Sequence, residues 1–239
     1  LENKLSNKNL SSLVKSNIKA LAKKGDIKKE EIEWSNLLDD PESPVNKKNK
    51  VTKNEVLDWL RQNNIRVHEV VLKDLETEDS IYIEPGDKYN YRELRFTIPK
   101  KPDDVYEGPR QDIKNIIAHI RVDDRIYKDS KILFVEEIQS DWQQEGIKEE
   151  YEARGIPEAP FEKSWTDLAL KRIFRLAAEE GYDKIAWTTD NMQSKRWEGK
   201  KFNFYDTVIV NKANNILKKF NAKVKKEDIG LSEDVYTVD

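Results

Sequence analysis

Apolar and polar residues follow two rhythms along this chain, and the change from one to the other near residue 65 divides it. Up to residue 62 the apolar positions recur at helical spacing. Leu10, Leu13, Val14, Ile18 and Leu21 predict a first helix that stops near Gly25. Ile27, Ile32, Trp34 and Leu37 predict a second, opening at Asp26 as N-cap, with Glu30 placed early where it favours the helix dipole. A turn-rich stretch over 39–49 carries Pro41 and Pro44. Val56, Leu57, Trp59 and Leu60 mark a third helix. Its start, Thr52-Lys53-Asn54-Glu55, has the spacing of a capping box, in which hydroxyl and carboxylate satisfy each other's backbone amides.

Beyond residue 65 the reading changes first to strands. Residues 67–72 read as a short β-branched strand. Residues 91–98 alternate polar and apolar side chains and end at Pro99, the pattern of a half-buried strand. Residues 116–122 and 131–138 are the next strands. The polar link over 123–130 predicts that they pair antiparallel. A long charged connection follows, with a helix expected around 145–154. The clearest helix then starts at Ser164, buries Leu168, Leu170, Ile173, Phe174 and Ala177, and stops at Gly181. Residues 184–189 read as a strand parallel to the one before, through a right-handed crossover. Residues 205–220 predict a helix ended by Asn221, and 235–238 a last strand. The expected class is α+β: a small helical N-terminal part, residues 1–64, packed on residues 65–239, a mixed, largely antiparallel sheet with two or three helices.

Composition narrows the chemistry. Six Trp, nine Tyr and seven Phe in 239 residues argue for a folded chain, although charged residues make up 37% of it. The 43 basic and 46 acidic residues leave a net charge of −3, too even for an overall basic field. A protein partner is therefore expected rather than a nucleic acid. As a helix-turn-helix element the third helix reads poorly, because Lys53 and Arg61 are offset by Glu55 and Asp58. Cysteine is absent, which excludes disulfides, thiolate nucleophiles and cysteine-held metal clusters. With His68 and His119 the only histidines, a His-rich metal site is not expected, no metal site is assigned, and any metal would have to be a hard cation held by carboxylates. No apolar run reaches the length of a membrane span, and a cytosolic setting is expected. The polar opening from Leu1 is expected to be a linker within a longer parent chain.

The densest polar cluster is Phe134-Val135-Glu136-Glu137-Ile138-Gln139-Ser140-Asp141-Trp142-Gln143. Strand alternation would put Glu137, Gln139 and Asp141 on one face and Glu136 and Ser140 on the other, so only one of the two glutamates could face a given cleft. A carboxylate at a strand end is well placed to act as a general base. The next strand ends at Asp190-Asn191, so Asp190 is expected beside Glu137 and Asp141 on one cleft rim. His119 could exchange protons near neutral pH, against the plainer reading of a hydrogen-bonded strand histidine. Lys171, Arg172 and Arg175 read as a solvated helix face. No Gly-rich phosphate loop and no GxSxG elbow occurs, which disfavours P-loop and α/β-hydrolase chemistry.

The strings Phe134 to Trp142, Ala118-His119-Ile120-Arg121-Val122-Asp123-Asp124-Arg125, Ala169-Leu170-Lys171-Arg172 and Gly181-Tyr182-Asp183-Lys184-Ile185-Ala186-Trp187 resemble a module of phage and mobile-element large polyvalent proteins. Glu30 to Trp34 and Val51 to Val56 resemble segments that precede it. The resemblance spans most of residues 20–225. It implies a phage-linked setting, a longer parent chain and delivery into a host with the genome, in the host cytoplasm or packaged in a virion. It implies no particular reaction or cofactor. The expected function is a phage-associated effector module that binds or modifies a host or phage macromolecule through Glu137, Gln139, Asp141, Asp190 and His119.

The order of elements is also similar to that of GNAT acyltransferases, which implies acyl transfer with Glu137 or a nearby carboxylate as base. In that family a Gln/Arg-x-x-Gly-x-Gly/Ala loop before the central helix cradles coenzyme A. Here Pro160-Phe161-Glu162-Lys163-Ser164-Trp165 contains no glycine, which counts against that cofactor. A third expectation is a non-catalytic scaffold in which the N-terminal helices dock a partner.

Overall fold

The structure, a computed structural model, describes residues 15–23, 32, 35, 37–62, 67–73, 84–98, 106–109, 112–145, 156 and 159–239. The chain divides into two compact units, residues 1–67 and 68–239.

In the first unit the described helices are α1 (Lys15–Lys23), α2 (Pro44–Lys47) and α3 (Lys53–Gln62). Ile18, Leu37, Val56 and Leu60 meet in its apolar core. The second predicted helix, with Ile27 and Trp34, lies largely outside the described residues. The stretch over 39–49 is more than turns. Pro44 opens the helical turn α2, because its fixed φ suits the first helical position and its missing N–H is not needed there. The predicted capping box is present. Thr52 Oγ1 accepts from the Glu55 amide at 3.2 Å, and Glu55 Oε2 accepts from the Thr52 amide at 2.7 Å. The Lys48 ammonium and the Thr52 donors hold the Glu55 carboxyl down at about 2.

The second unit is α+β. Its strands are β1 (His68–Lys73), β2 (Tyr89–Thr97), β3 (Ile116–Tyr127), β4 (Ser130–Gln139), β5 (Lys184–Trp187), β6 (Lys225–Glu227) and β7 (Val235–Val238). They form one sheet in the order β1-β2-β3-β4-β5-β7-β6. Pairing is antiparallel from β1 to β4, parallel between β4 and β5, and antiparallel across β5, β7 and β6. Between β4 and β5 run α4 (Asp141–Glu145) and the long helix α5 (Trp165–Glu180). Gly181 ends α5 in the left-handed conformation, φ 66°, where a side chain would be strained. After β5 come α6 (Asp190–Arg196), a π-helical turn (Phe204–Ile209), α7 (Val210–Leu217) and a 3-10 turn (Lys218–Phe220) stopped by Asn221 at φ 54°.

The link over 123–130 is not a loop. Strand β3 continues to Tyr127, and only Lys128 and Asp129, both at positive φ, make the hairpin turn. Asp123, Asp124 and Arg125 are therefore buried strand residues. Their polarity reads as loop chemistry, yet their alternation gives each a partner across the sheet. On one face, Ala118, Ile120, Val122 and Leu94 form an apolar floor, and α5 packs against β3, β4 and β5. On the other, Ile132, Phe134, Ala186 and Met192 form an apolar cluster beneath α6. Farther along β4 that same face turns charged.

Thr52→Ala removes one half of the capping box. It is expected to lower the stability of the first unit by about 1 kcal/mol in urea denaturation. An unchanged midpoint would show the box to be energetically idle.

Candidate functional site

The charged region is laid out by the register of three strands. On β3, His119, Arg121, Asp123 and Arg125 share a face by alternation. His119 pairs with Arg95 of β2 and Gln139 of β4, and Arg121 with Glu93 and Glu137. Between Arg121 and Val122 the register slips: Arg121 faces Glu137 while Val122 faces Val135, so Glu136 is the extra residue of a β-bulge. The bulge corrects the expectation that the two glutamates point apart. Glu137 reaches Arg121 Nη1 at 3.4 Å, and Glu136 reaches Arg125 Nη2 at 2.8 Å. Both thus turn toward the same face of β3.

Glu136 is fully buried. It accepts from Arg125 Nη2 at 2.8 Å, from Arg196 Nη2 at 2.8 Å, and with both oxygens from the Glu84 amide at 3.0 Å. Arg125 also donates to Asp123 at 2.8 Å, and Arg196 to Glu84 Oε1 at 3.0 Å. Three carboxylates (Glu84, Asp123, Glu136) thus face two guanidiniums. Burial and the Asp123 carboxylate push the Glu136 carboxyl up to about 8, against the pull of Arg196 and Arg125. A proton taken up there makes the group electrically even.

Where β5 stops at Trp187, β4 loses its partner strand. Side chains replace it. Gln193 Nε2 at 2.8 Å and Arg196 Nη1 at 3.0 Å donate to the Glu136 carbonyl. The Tyr205 hydroxyl donates to the Ile138 carbonyl and accepts from the Ile138 amide, each at 3.2 Å. Tyr205 is supplied by the π-helical turn, a rare conformation that often marks functional sites. Burial pushes its phenol above the usual range.

The second half of the site surrounds His119, whose side chain is fully buried. Its Nε2 lies 3.8 Å from Glu137 Oε2 and its Nδ1 3.9 Å from Asp141 Oδ2. Neither ring nitrogen has a hydrogen-bond partner. That differs from the plain reading of a hydrogen-bonded strand histidine. Asp141 is not a strand residue. It opens α4 after Ser140, whose Oγ accepts from the Gln143 amide at 3.3 Å. Gln139 Nε2 donates to Asp141 Oδ1 at 2.7 Å and ties strand end to helix start. Trp142 is buried and stacks on Tyr106, centroids 4.8 Å apart, fixing the start of α4. On the β2 side, Arg95 donates to Glu93 at 3.0 Å and to both oxygens of Asp112 at 2.8 Å.

Glu137, Gln139, Asp141 and His119 are thus brought together. Asp190 is put to other use. Its carboxylate accepts from the amides of Phe204 at 3.1 Å, Tyr205 at 2.8 Å and Asp206 at 3.3 Å. Asp206 in return accepts from the Asp190 amide at 2.9 Å. Asp190 caps the π-helical turn and so seats Tyr205; it is not a carboxylate held free on a cleft rim. Asp190-Asn191 also opens α6 rather than a turn, with Thr189 as N-cap. Sequence reasoning missed Arg125, Arg196, Gln193 and Tyr205. For Arg125 a signal existed, the alternation of Arg121, Asp123 and Arg125 in step with His119. For Tyr205 there was none. Arg175 is exposed and pairs with Glu179 along α5, whereas Arg172 is half-buried and reaches Glu69 of β1, so it faces the sheet edge rather than open solvent.

Among the described residues, no group of three or more His, Asp and Glu side chains is arranged to hold a metal ion. The geometry explains this: Glu137 and Asp141 approach opposite nitrogens of one ring, so a single ion could not touch all three. No described helix is long and apolar enough to cross a membrane. Comparison with family models, curated proteins and solved structures finds no match for this chain.

Two outcomes test this geometry. The raised Glu136 carboxyl binds a proton in the folded state that the unfolded chain gives up near 4.5. Stability is therefore expected to fall as pH rises between about 4.5 and 8, and Glu136→Gln to remove that slope, read as urea midpoints across the range. A slope unchanged in the variant would contradict the assignment. Asp190→Ala orphans three amides, and a loss of about 1–3 kcal/mol is expected in the same assay. A loss below about 0.5 kcal/mol would show the cap to be dispensable.

Proposed function

We propose that this chain is an effector module of a longer phage-associated polyvalent protein, acting on a host or phage macromolecule through the Glu137–His119–Asp141 group. One observation carries the reading: a fully buried imidazole with both nitrogens free of hydrogen bonds, held between two carboxylates. Buried polar groups are almost always satisfied, and exceptions concentrate where a ligand or a proton completes the site. His119 is the group that moves a proton, Glu137 sets its orientation from the interior, and Asp141 faces the incoming partner. The phage setting rests on the sequence likeness. The small net charge favours a protein partner over a nucleic acid.

The test is expression in a bacterial host of wild type, His119→Asn, Glu137→Gln and Asp141→Asn, each checked for unchanged thermal stability. Wild type is expected to alter growth or the mass of a host protein, and the three variants to lose that effect at least tenfold. Equal effects from all four would sink the reading in favour of a scaffold.

A second reading, a GNAT-like acyltransferase, draws on one observation: antiparallel β1 to β4 followed by parallel β5 across the crossover helix α5. Acetyl-coenzyme A would then raise the melting temperature, and no shift at millimolar ligand would end it.

A further inference from the structure

We propose that a cavity on the face of the sheet opposite His119, between α5 and the β1–β2 pair, binds a small amphipathic carboxylate: an aliphatic body ended by one negative charge. The inference goes beyond the effector reading and does not depend on it.

The cavity has a volume of about 490 Å³, within the range of small-molecule sites. Strand register and helix spacing lay it out in three layers. Side chains alternate between the faces of a strand, and Glu69, Val71 and Lys73 of β1 stand opposite Phe96, Leu94 and Arg92 of β2. On α5, Arg172, Leu176 and Glu180 recur at intervals of four, which puts them in one row along the helix. Two ion pairs fix that row against the sheet, Arg172 with Glu69 at 2.5 Å and Arg92 with Glu180 at 2.8 Å. In the middle layer Val71, Leu94 and Leu176 line the cavity with hydrocarbon. Val71 is 40% exposed, an apolar surface that a bound aliphatic body would cover. Arg172, which donates to both oxygens of Glu69, bounds one end. Lys73, Arg92 and Glu180 lie at the other. From Lys73 back to Glu69 is roughly 13 Å at the usual strand rise, room for a chain of several carbons beyond a carboxylate.

Charge at the Lys73 end is uneven. Arg92 is answered by Asp124 at 3.0 Å and by Glu180. Lys73 stands directly across the strand pair from Arg92 and has no hydrogen bond or ion pair among the described residues. Like charges opposite each other on a sheet repel, so an anion at this end relieves a cost that the free protein carries. One ammonium without a counter-charge calls for a single negative charge. The second charge of a phosphate ester would face Asp124 and Glu180. A cationic ligand would meet Lys73 and Arg92, and Glu180 Oε2 is already shared by Arg92 and Tyr182.

The test titrates the whole chain with sodium hexanoate by isothermal calorimetry. Saturable binding with a Kd below about 1 mM is expected. Hexan-1-ol carries the chain without the charge and acetate the charge without the chain; each is expected to bind at least tenfold more weakly. Lys73 and Val71 are exposed, so Lys73→Glu and Val71→Phe are expected to keep the wild-type melting temperature. The first reverses the cation and the second fills the cavity, and each is expected to weaken hexanoate tenfold or more. Lys73→Gln takes the place of Lys73→Glu if the melting temperature falls. Acetyl-glycyl-leucine separates the two origins of such a carboxylate: tighter binding than hexanoate assigns the terminus of a protein chain, weaker binding a free acid. Three results would overturn the proposal: no saturable heat with hexanoate, equal affinity in wild type and both variants, or hexan-1-ol binding as tightly as hexanoate.

Discussion

Glu136 carries a carboxyl group with no exposure to water, and the arrangement of the second unit follows from satisfying it. A buried carboxyl group stripped of its hydrogen-bond partners is costly whether or not it holds its proton, so each donor around Glu136 must be held in place by its own element. Arg125 comes from β3, Arg196 from α6 and the Glu84 amide from the segment before β2. The bulge that admits Glu136 also turns Glu137 to the same face, toward Arg121 and His119. One inserted residue thus joins the structural network to the candidate site. It also explains why β4 needs Gln193, Arg196 and Tyr205 where β5 has ended, since bulged backbone with no neighbouring strand would leave buried carbonyls and amides unpaired.

The two halves of the charged face have different characters. Around Glu136 nearly every polar atom is engaged, which is the signature of a network that specifies a fold. Around His119 the distances are longer and both ring nitrogens are unpaired. Rigid support next to an unfinished group is what a binding or catalytic site requires, because the support fixes the geometry while the unfinished group keeps affinity for what completes it. Trp142 stacked on Tyr106 and the tie from Gln139 to Asp141 serve that support on the α4 side.

Much of this was legible in the sequence. Period-two alternation located β2, β3 and β4, helical spacing located α3 and α5, and Thr52 with Glu55 announced their capping box. The cluster from Val135 to Gln143 is where the polar site lies, and Glu137, Gln139, Asp141 and His119 do meet. The rest failed for physical reasons. A bulge shifts register by one residue without any mark in composition, so Glu136 was assigned to the wrong face. Asp123, Asp124 and Arg125 look like a turn until their partners across the sheet are known. Asp190 looks like a free carboxylate because the amides it caps lie fourteen to sixteen residues away, on a π-helical turn that no periodicity predicts.

The central claim is that Glu136 is an energetic partner of Arg196, held to it by the bulge. The most direct measurement is a double-mutant cycle with Glu136→Gln, Arg196→Met and the double variant, each unfolded in urea at constant pH. The account predicts a coupling energy of about 1–3 kcal/mol, with the double variant less destabilised than the sum of the singles. Additive effects would contradict it, and would mean that the two side chains share the interior without holding the strand.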